Sequence, residues 1–302
     1  MTMKNALKKY WPLYLLTIVI AYVLRYFSKI TDSDAITWML TPTVWWVSHL
    51  CGIPFEYIPQ EGYLSRPLFE YFPKQGGAGC MYRFLVAPSC AGIRFLMILF
   101  VMLVFSFLHR IEKRKSGCLW FGFCCAASYF ATILVNGVRI IASIYLPLLF
   151  GKLGITNGLL QGNSLHTLTG TVVYFSSLCL LYLLASSVCR KLSAVSGTKQ
   201  IPVAERVSVA EQSSSAKRVS VTEQSSSAEQ VSVTENTPAS SHSPFVPAFW
   251  YLLTVLVLPF CKRILTNEWE NFGSYTLMVL GTCIIIITLL CAMSRLRRRH
   301  TG

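Results

Sequence analysis

The chain has 302 residues, 53% of them hydrophobic and 13% charged, with a mean hydropathy of +0.51. Average globular chains carry about twice that charge fraction, so a soluble domain is excluded and the bilayer is the solvent. The net charge of +14 is not a nucleic-acid footprint, because its basic residues gather at the ends of apolar runs (Lys8-Lys9, Arg110 to Lys115, Arg190-Lys191, Arg295 to Arg299), as cytoplasmic topology anchors do.

Apolar runs long enough to cross a hydrocarbon core of about 30 Å recur along the chain. Each crossing must be a helix, because unpaired backbone groups are too costly in lipid. The first run, 13–24, follows Lys4, Lys8 and Lys9, lacks a small-residue cleavage site and precedes Asp32 and Asp34. It reads as a retained anchor with its N-terminus inside. Residues 34–50, broken by Pro42 and rich in tryptophan, suit an interfacial or re-entrant helix. Were they a full crossing, the basic loop 111–117 would fall outside, against the charge rule. Residues 51–88, rich in Pro, Gly and aromatics, predict turns and short strands. They are too short for a catalytic domain and suited to a lid at the membrane edge.

Three crossings follow, 91–108, 119–141 and 167–188. Then the composition changes: ERVSVAEQSSSA, KRVSVTEQSSSA and EQVSVTENTPAS repeat with a period of 12. A unit offering only a Val-x-Val pair has no packing face, so residues 192–244 are expected to be a disordered cytoplasmic tether. Two further apolar runs, 249–265 and 275–293, flank the polar NEWEN segment and precede the basic tail RLRRRH. They predict an appended helical hairpin. The expected fold is therefore an all-α integral membrane protein, a multi-pass transmembrane helix bundle. Its core is 1–191, its linker 192–244 and its C-terminal hairpin 245–302.

The 11 cysteines form no disulfide pattern. Most lie within apolar runs, where cysteine is an ordinary small hydrophobe; Cys51 and Cys80 fall in the external segment, and a bridge between them is left open. His49, His109, His242 and His300 are scattered without metal-ligand spacing. Ser164, near His166, sits in no G-x-S-x-G elbow, and Gly76, Gly77 and Gly79 precede no phosphate-binding G-K-S/T.

Three polar residues stand apart. Cys90 opens the run 91–108, Arg139 closes the run 119–141 and His166 opens the run 167–188. Successive crossings alternate in direction, so an opening, a closing and an opening position share one membrane face, the external one. Taken singly, each has a bland reading as a packing thiol, a headgroup anchor or a helix cap. Together they form a nucleophile, an anion stabiliser and a proton carrier. The stretch VAPSCAGIRFL places the thiol at a helix start, where unpaired amides and the positive dipole end favour the thiolate. Gly92 permits close backbone approach and Arg94 adds positive charge. In NGVRI, Asn136 precedes Arg139 by nearly one helical turn.

The Cys-x-Gly, Asn-x-x-Arg and His elements, in that order and each beside a crossing, resemble the exosortase/archaeosortase family of multi-pass cysteine transpeptidases, over roughly residues 10 to 190. The resemblance implies Cys90 as nucleophile, Arg139 as transition-state stabiliser and His166 as acid and base, with no metal or organic cofactor. It implies as substrates exported proteins bearing a C-terminal sorting signal, that is, a short motif, a hydrophobic helix and a basic tail. It further implies a bacterial inner-membrane location with the site on the periplasmic face, and an acceptor that is an amine, a lipid or a glycolipid. Two other classes stay open at this point: an intramembrane cysteine protease that passes the acyl group to water, and a non-enzymatic transporter or scaffold. The absence of carboxylates from the crossings argues against ion-coupled transport.

Overall fold

The structure is a computed structural model. It describes residues 3–27, 29, 32–66, 83–111, 114–153, 162–197, 245–257, 259–260 and 272–300; the 12-residue repeats, Cys80 and the NEWEN segment lie outside these. The architecture is an all-α multi-pass membrane bundle. Five helices are long and apolar enough to cross a membrane among the described residues. In chain order the helices are α1 (Met3–Phe27), α2 (Thr37–Cys51), α3 (Ile93–Phe107), α4 (Arg114–Lys152), α5 (Gly162–Gly197), α6 (Phe245–Leu252) and α7 (Phe272–His300). Residues 1–183 and 244–302 form one compact unit. In the second unit, 184–243, the described part is the end of α5.

α3 is the central element. In its crossing segment 78% of residues are buried inside the protein, against 17% in α1, and from Phe95 to Phe105 every side chain is apolar, as a helix enclosed on most sides requires. α1 packs along it and reaches α4 at the basic end, where the Tyr10 hydroxyl donates to the Ile111 carbonyl at 2.9 Å. Lys8, Lys9, Arg110, Arg114 and Lys115 are thereby collected at one end of the bundle.

α2 has 15 residues, which at 1.5 Å per residue reach only about 22 Å, short of a hydrocarbon core. That length is in keeping with the interfacial or re-entrant helix expected from the sequence. It lies against α4 through Met39, Leu40, Thr43, Val44 and Val47, all buried, while Trp45 stays 63% exposed. Pro42 removes the N–H that would bond the Trp38 carbonyl. The Tyr129 hydroxyl of α4 supplies the missing donor at 2.9 Å, and its ring stacks on Trp38. One turn on, Trp46 Nε1 donates to the Ile133 carbonyl at 3.2 Å and its ring packs against Gly137.

That close approach predicts a sharp contrast between two glycines of α4. A Cβ at Gly137 would sit 2.0 Å from Trp46 Cζ2, whereas one at Gly122 meets nothing within 4 Å. Gly137→Ala must push α2 off α4 and is expected to cost about 1–3 kcal/mol, the range for overpacking. Gly122→Ala should be neutral or stabilising by up to about 1 kcal/mol, the helix-propensity difference. Thermal unfolding of the two detergent-solubilised variants checks this; equal melting temperatures would refute the packing described.

A small antiparallel sheet covers one end of the bundle: β1 (Phe55–Ile58), β2 (Gly62–Ser65) and β3 (Leu85–Val86), in spatial order β1-β2-β3. Tyr63 pairs with Val86 and Leu64 with Leu85. The sheet is tied to the α1–α2 connection by the Ser33 N–H to the Gln60 carbonyl at 3.4 Å, by Tyr57 on Asp34 and by Tyr63 with Thr41 at 2.7 Å. It is the predicted pair of turns and short strands, and β3 delivers the chain directly into the segment that carries Cys90. α6, continued by a π-helical turn to Val257, packs onto the bundle: Trp250 meets Phe105 of α3 and Tyr251 meets Phe175 of α5.

Candidate active site

Cys90 stands at the end of a tight turn, Pro88–Cys90, that follows β3. Extended Ala87 and Pro88 at the first position set the turn, and the Cys90 N–H closes it on the Ala87 carbonyl at 2.8 Å. Gly92 then takes a left-handed conformation (φ 76°) and caps α3. The expectation of a thiol in the first turn of the helix is therefore corrected. Cys90 lies just ahead of α3, which begins at Ile93, and its amide is bonded within the turn. Gly92 is needed twice over. Its φ suits glycine alone, and a Cβ there would press 3.0 Å from Asn136 Cγ and 3.2 Å from Thr132 Cγ2.

Arg139 is also not at a helix end. α4 has 39 residues, about 58 Å at 1.5 Å per residue, and continues to Lys152. The apolar run ends at Ile141 in the sequence reading, yet the helix continues through Pro147, with loss of the N–H that would reach the Ser143 carbonyl. Asn136 and Arg139, one turn apart, share a face, as their spacing predicts. His166 sits near the start of α5, where it was expected.

The structure brings the three predicted residues together through Arg139. Its Nη2 lies 2.7 Å from His166 Nε2. A guanidinium cannot accept, so Nε2 is the acceptor and a neutral His166 carries its proton on Nδ1. The Arg139 side chain also engages the Cys90 side chain. Its Nη1 donates to the Tyr174 hydroxyl at 3.2 Å, and Tyr174 in turn donates to Asn136 Oδ1 at 2.8 Å. Asn136 Nδ2 completes the chain by donating to the Cys90 carbonyl at 2.6 Å. Asn136 is fully buried, and Cys90 and Arg139 are 6% and 9% exposed.

The electrostatics follow from what faces the guanidinium. A phenol, an imidazole and a thiol meet it, and no carboxylate is among its described partners. Its Nε has no hydrogen-bond partner among the described residues and lies against Gly170, where a Cβ would come within 3.1 Å. A buried cation without a counter-ion is costly, and the same cost becomes stabilisation for any negative charge formed beside it. Arg94, by contrast, is exposed and stands outside the hydrogen-bonded cluster, although its charge acts on Tyr174 and Arg25.

Beside the Arg139–His166 pair a cavity of about 150 Å³ opens between α4 and α5, lined by Ala142, Leu146, Leu168, Thr169, Val172 and Val173 among others. Ala142 and Thr169 lie three residues beyond Arg139 and His166, so the cavity adjoins the polar cluster on both helices. Cys51, the alternative external thiol, is a free cysteine; burial pushes its thiol up, against a smaller opposing effect of Tyr145. No group of His, Cys, Asp and Glu able to hold a metal occurs among the described residues.

Sequence reasoning missed Tyr174 and Gly170. Tyr174 reads as one aromatic among many in an apolar run. Its only signal is its place eight residues after His166, roughly two helical turns, which returns it near the same face. Comparison with known proteins yields no relative: no family model, no curated protein and no solved structure matches the chain.

Proposed function

We propose that the protein is a membrane cysteine transpeptidase of the exosortase type, acting on exported proteins through a thioacyl intermediate at Cys90. The observation that supports this most is the buried guanidinium of Arg139, which has no carboxylate among its described partners, bonds the imidazole of His166 and interacts with Cys90. Such a group has little structural use and a direct chemical one.

Cys90 gives its proton to His166 Nε2 and attacks the scissile carbonyl, forming a C–S bond. Proton uptake turns Nε2 from an acceptor into a donor, which breaks its bond with Arg139 and leaves Nη2 to the oxyanion. The tetrahedral intermediate collapses, the C–N bond breaks and the leaving amine takes the proton from His166. An amine-bearing acceptor, on a lipid or a glycan, then attacks the thioester, gives its own proton to His166 and releases Cys90, which recovers that proton. Every step is proton transfer or acyl transfer, and no cofactor enters. The substrate is a protein whose short motif is followed by a hydrophobic helix and basic tail. The apolar cavity between α4 and α5 suits the start of that helix.

Sidedness follows from charge. Lys8, Lys9, Arg110, Arg114 and Lys115 collect at the end of the bundle opposite the site, so the positive-inside rule puts the cluster on the external face, the periplasmic side of a bacterial inner membrane.

The test is to trap the intermediate. Substrate incubated without acceptor and quenched in acid should remain attached to the protein in a hydroxylamine-sensitive linkage that peptide mass spectrometry maps to residue 90. Attachment elsewhere, or turnover with no acyl-enzyme under single-turnover conditions, would overturn the assignment. Release of free acid at the full rate without any acceptor would make water the physiological nucleophile and the enzyme a protease.

A further inference from the structure

We infer that Tyr174 is a positioning residue of this site: its hydroxyl sets the guanidinium of Arg139 and, through Asn136, the backbone of Cys90, in one register. The inference rests on Cys90 being the reacting thiol.

Three helices and the nucleophile turn meet at this phenol. It accepts from Arg139 Nη1 at 3.2 Å and donates to Asn136 Oδ1 at 2.8 Å, so its single proton and one of its lone pairs are both used. Its ring stacks on Phe95 of α3, with centroids 4.9 Å apart, which fixes the ring independently of the hydroxyl. From it two arms diverge. One runs through Asn136 to the Cys90 carbonyl at 2.6 Å; the other runs through Arg139 to His166 at 2.7 Å. The nucleophile turn and the anion stabiliser belong to different elements, and Tyr174 is the described group bonded to both arms.

The physical need is clear. Arginine has a long side chain with several rotatable bonds, and its value as an oxyanion donor lies in the direction of its fork. Nη2 must be free to leave His166 during the reaction, so it cannot anchor the group. Nε is without a partner among the described residues. Nη1 on Tyr174 is the bond that can persist through the cycle. Asn136 is likewise held at both ends, accepting from Tyr174 at Oδ1 and donating from Nδ2 to the Cys90 carbonyl.

Tyr174→Phe removes the hydroxyl and keeps the ring against Phe95. In the full-length solubilised protein it is expected to lower kcat by about 10²-fold, the loss typical of one oxyanion donor, with KM unchanged and a melting temperature lowered by the two buried groups it leaves without this partner. The rate of Cys90 alkylation by iodoacetamide at neutral pH, read at residue 90 by mass spectrometry, should fall about tenfold. Asn136→Leu cuts the same chain at its other link and should slow alkylation in the same sense; it carries the test if the first variant does not accumulate. Phe95→Leu, which removes the stacking and leaves both hydrogen bonds, should lower the melting temperature and leave the alkylation rate as in the wild type.

Wild-type kcat and alkylation in Tyr174→Phe would overturn the inference. So would an equal slowing in Phe95→Leu, since ring packing and not the hydroxyl would then set the site. The alkylation arm needs no substrate. It therefore fails or succeeds separately from the transpeptidase reading, which falls instead if Cys90→Ala still processes substrate.

Discussion

Cys90→Ala, expressed at normal level, is expected to abolish substrate conversion and to leave intact substrate held in the membrane by its own hydrophobic helix. Deleting the nucleophile of a hydrolytic triad costs on the order of 10⁶ in kcat, which in cells is complete loss. Cys90→Ser should fail almost as badly. A serine hydroxyl is far harder to deprotonate than a thiol, so the same base yields far less nucleophile. The serine variant also serves as the fold control, since its side chain fills the same space in the turn after β3 and its carbonyl still meets Asn136. Cys51→Ala should keep substantial activity, because that thiol lies on α2 and burial disfavours its ionisation. Immunoblots of substrate size in cells carrying each variant read all three outcomes. Conversion at any measurable rate in Cys90→Ala, with no second thiol modified, would remove Cys90 from the chemistry and with it the proposed function.

How much of this was written in the sequence differs between elements for physical reasons. The long apolar helices were legible because hydrocarbon demands long uninterrupted apolar runs, and α2 was legible as a separate helix within residues 34–50. The pairing of Asn136 with Arg139 followed from helical spacing alone. Three things were not legible. The position of Cys90 outside α3 depends on Gly92 adopting a positive φ, and glycine in an apolar context announces close approach as readily as a left-handed turn. The continuation of α4 past Arg139 depends on a helix tolerating Pro147, which propensity alone scores against. The role of Tyr174 is purely tertiary, since its partners are 35 and 38 residues away and nothing local distinguishes it from other tyrosines in crossings.

Glycines show the same division. Gly92 and Gly137 both flank the site, and both are small for a reason outside their own helix: Asn136 in one case and the Trp46 ring in the other. A sequence reading can flag the Asn-Gly-Val-Arg motif as functional. Only packing reveals that Gly137 lets α2 dock on the face of α4 next to Asn136, and so holds in place the helix that carries both arms of the hydrogen-bonded chain.

Arg139→Lys is the second change with a large expected effect, and it separates charge from geometry. A lysine keeps the positive charge and much of the length, so a site that needed only a cation near Cys90 would retain most of its rate. Here the guanidinium works as a fork, with Nη1 on Tyr174, Nη2 on His166 and the side chain on Cys90. An ammonium is a point charge without a planar array of donors. It can meet the Tyr174 hydroxyl or His166, but it cannot hold the first while turning a second donor from His166 to the oxyanion. The expected result is a fall in kcat of about 10²–10³-fold, the cost of losing an oxyanion donor, while substrate still binds through its apolar helix and KM changes little. Iodoacetamide should still label residue 90, because a cation remains beside the thiol. Arg139→Gln, which removes the charge and keeps a planar amide, should lose both the turnover and the labelling. A lysine variant within tenfold of wild-type kcat would show that the fork geometry is incidental and that Arg139 serves only as a charge.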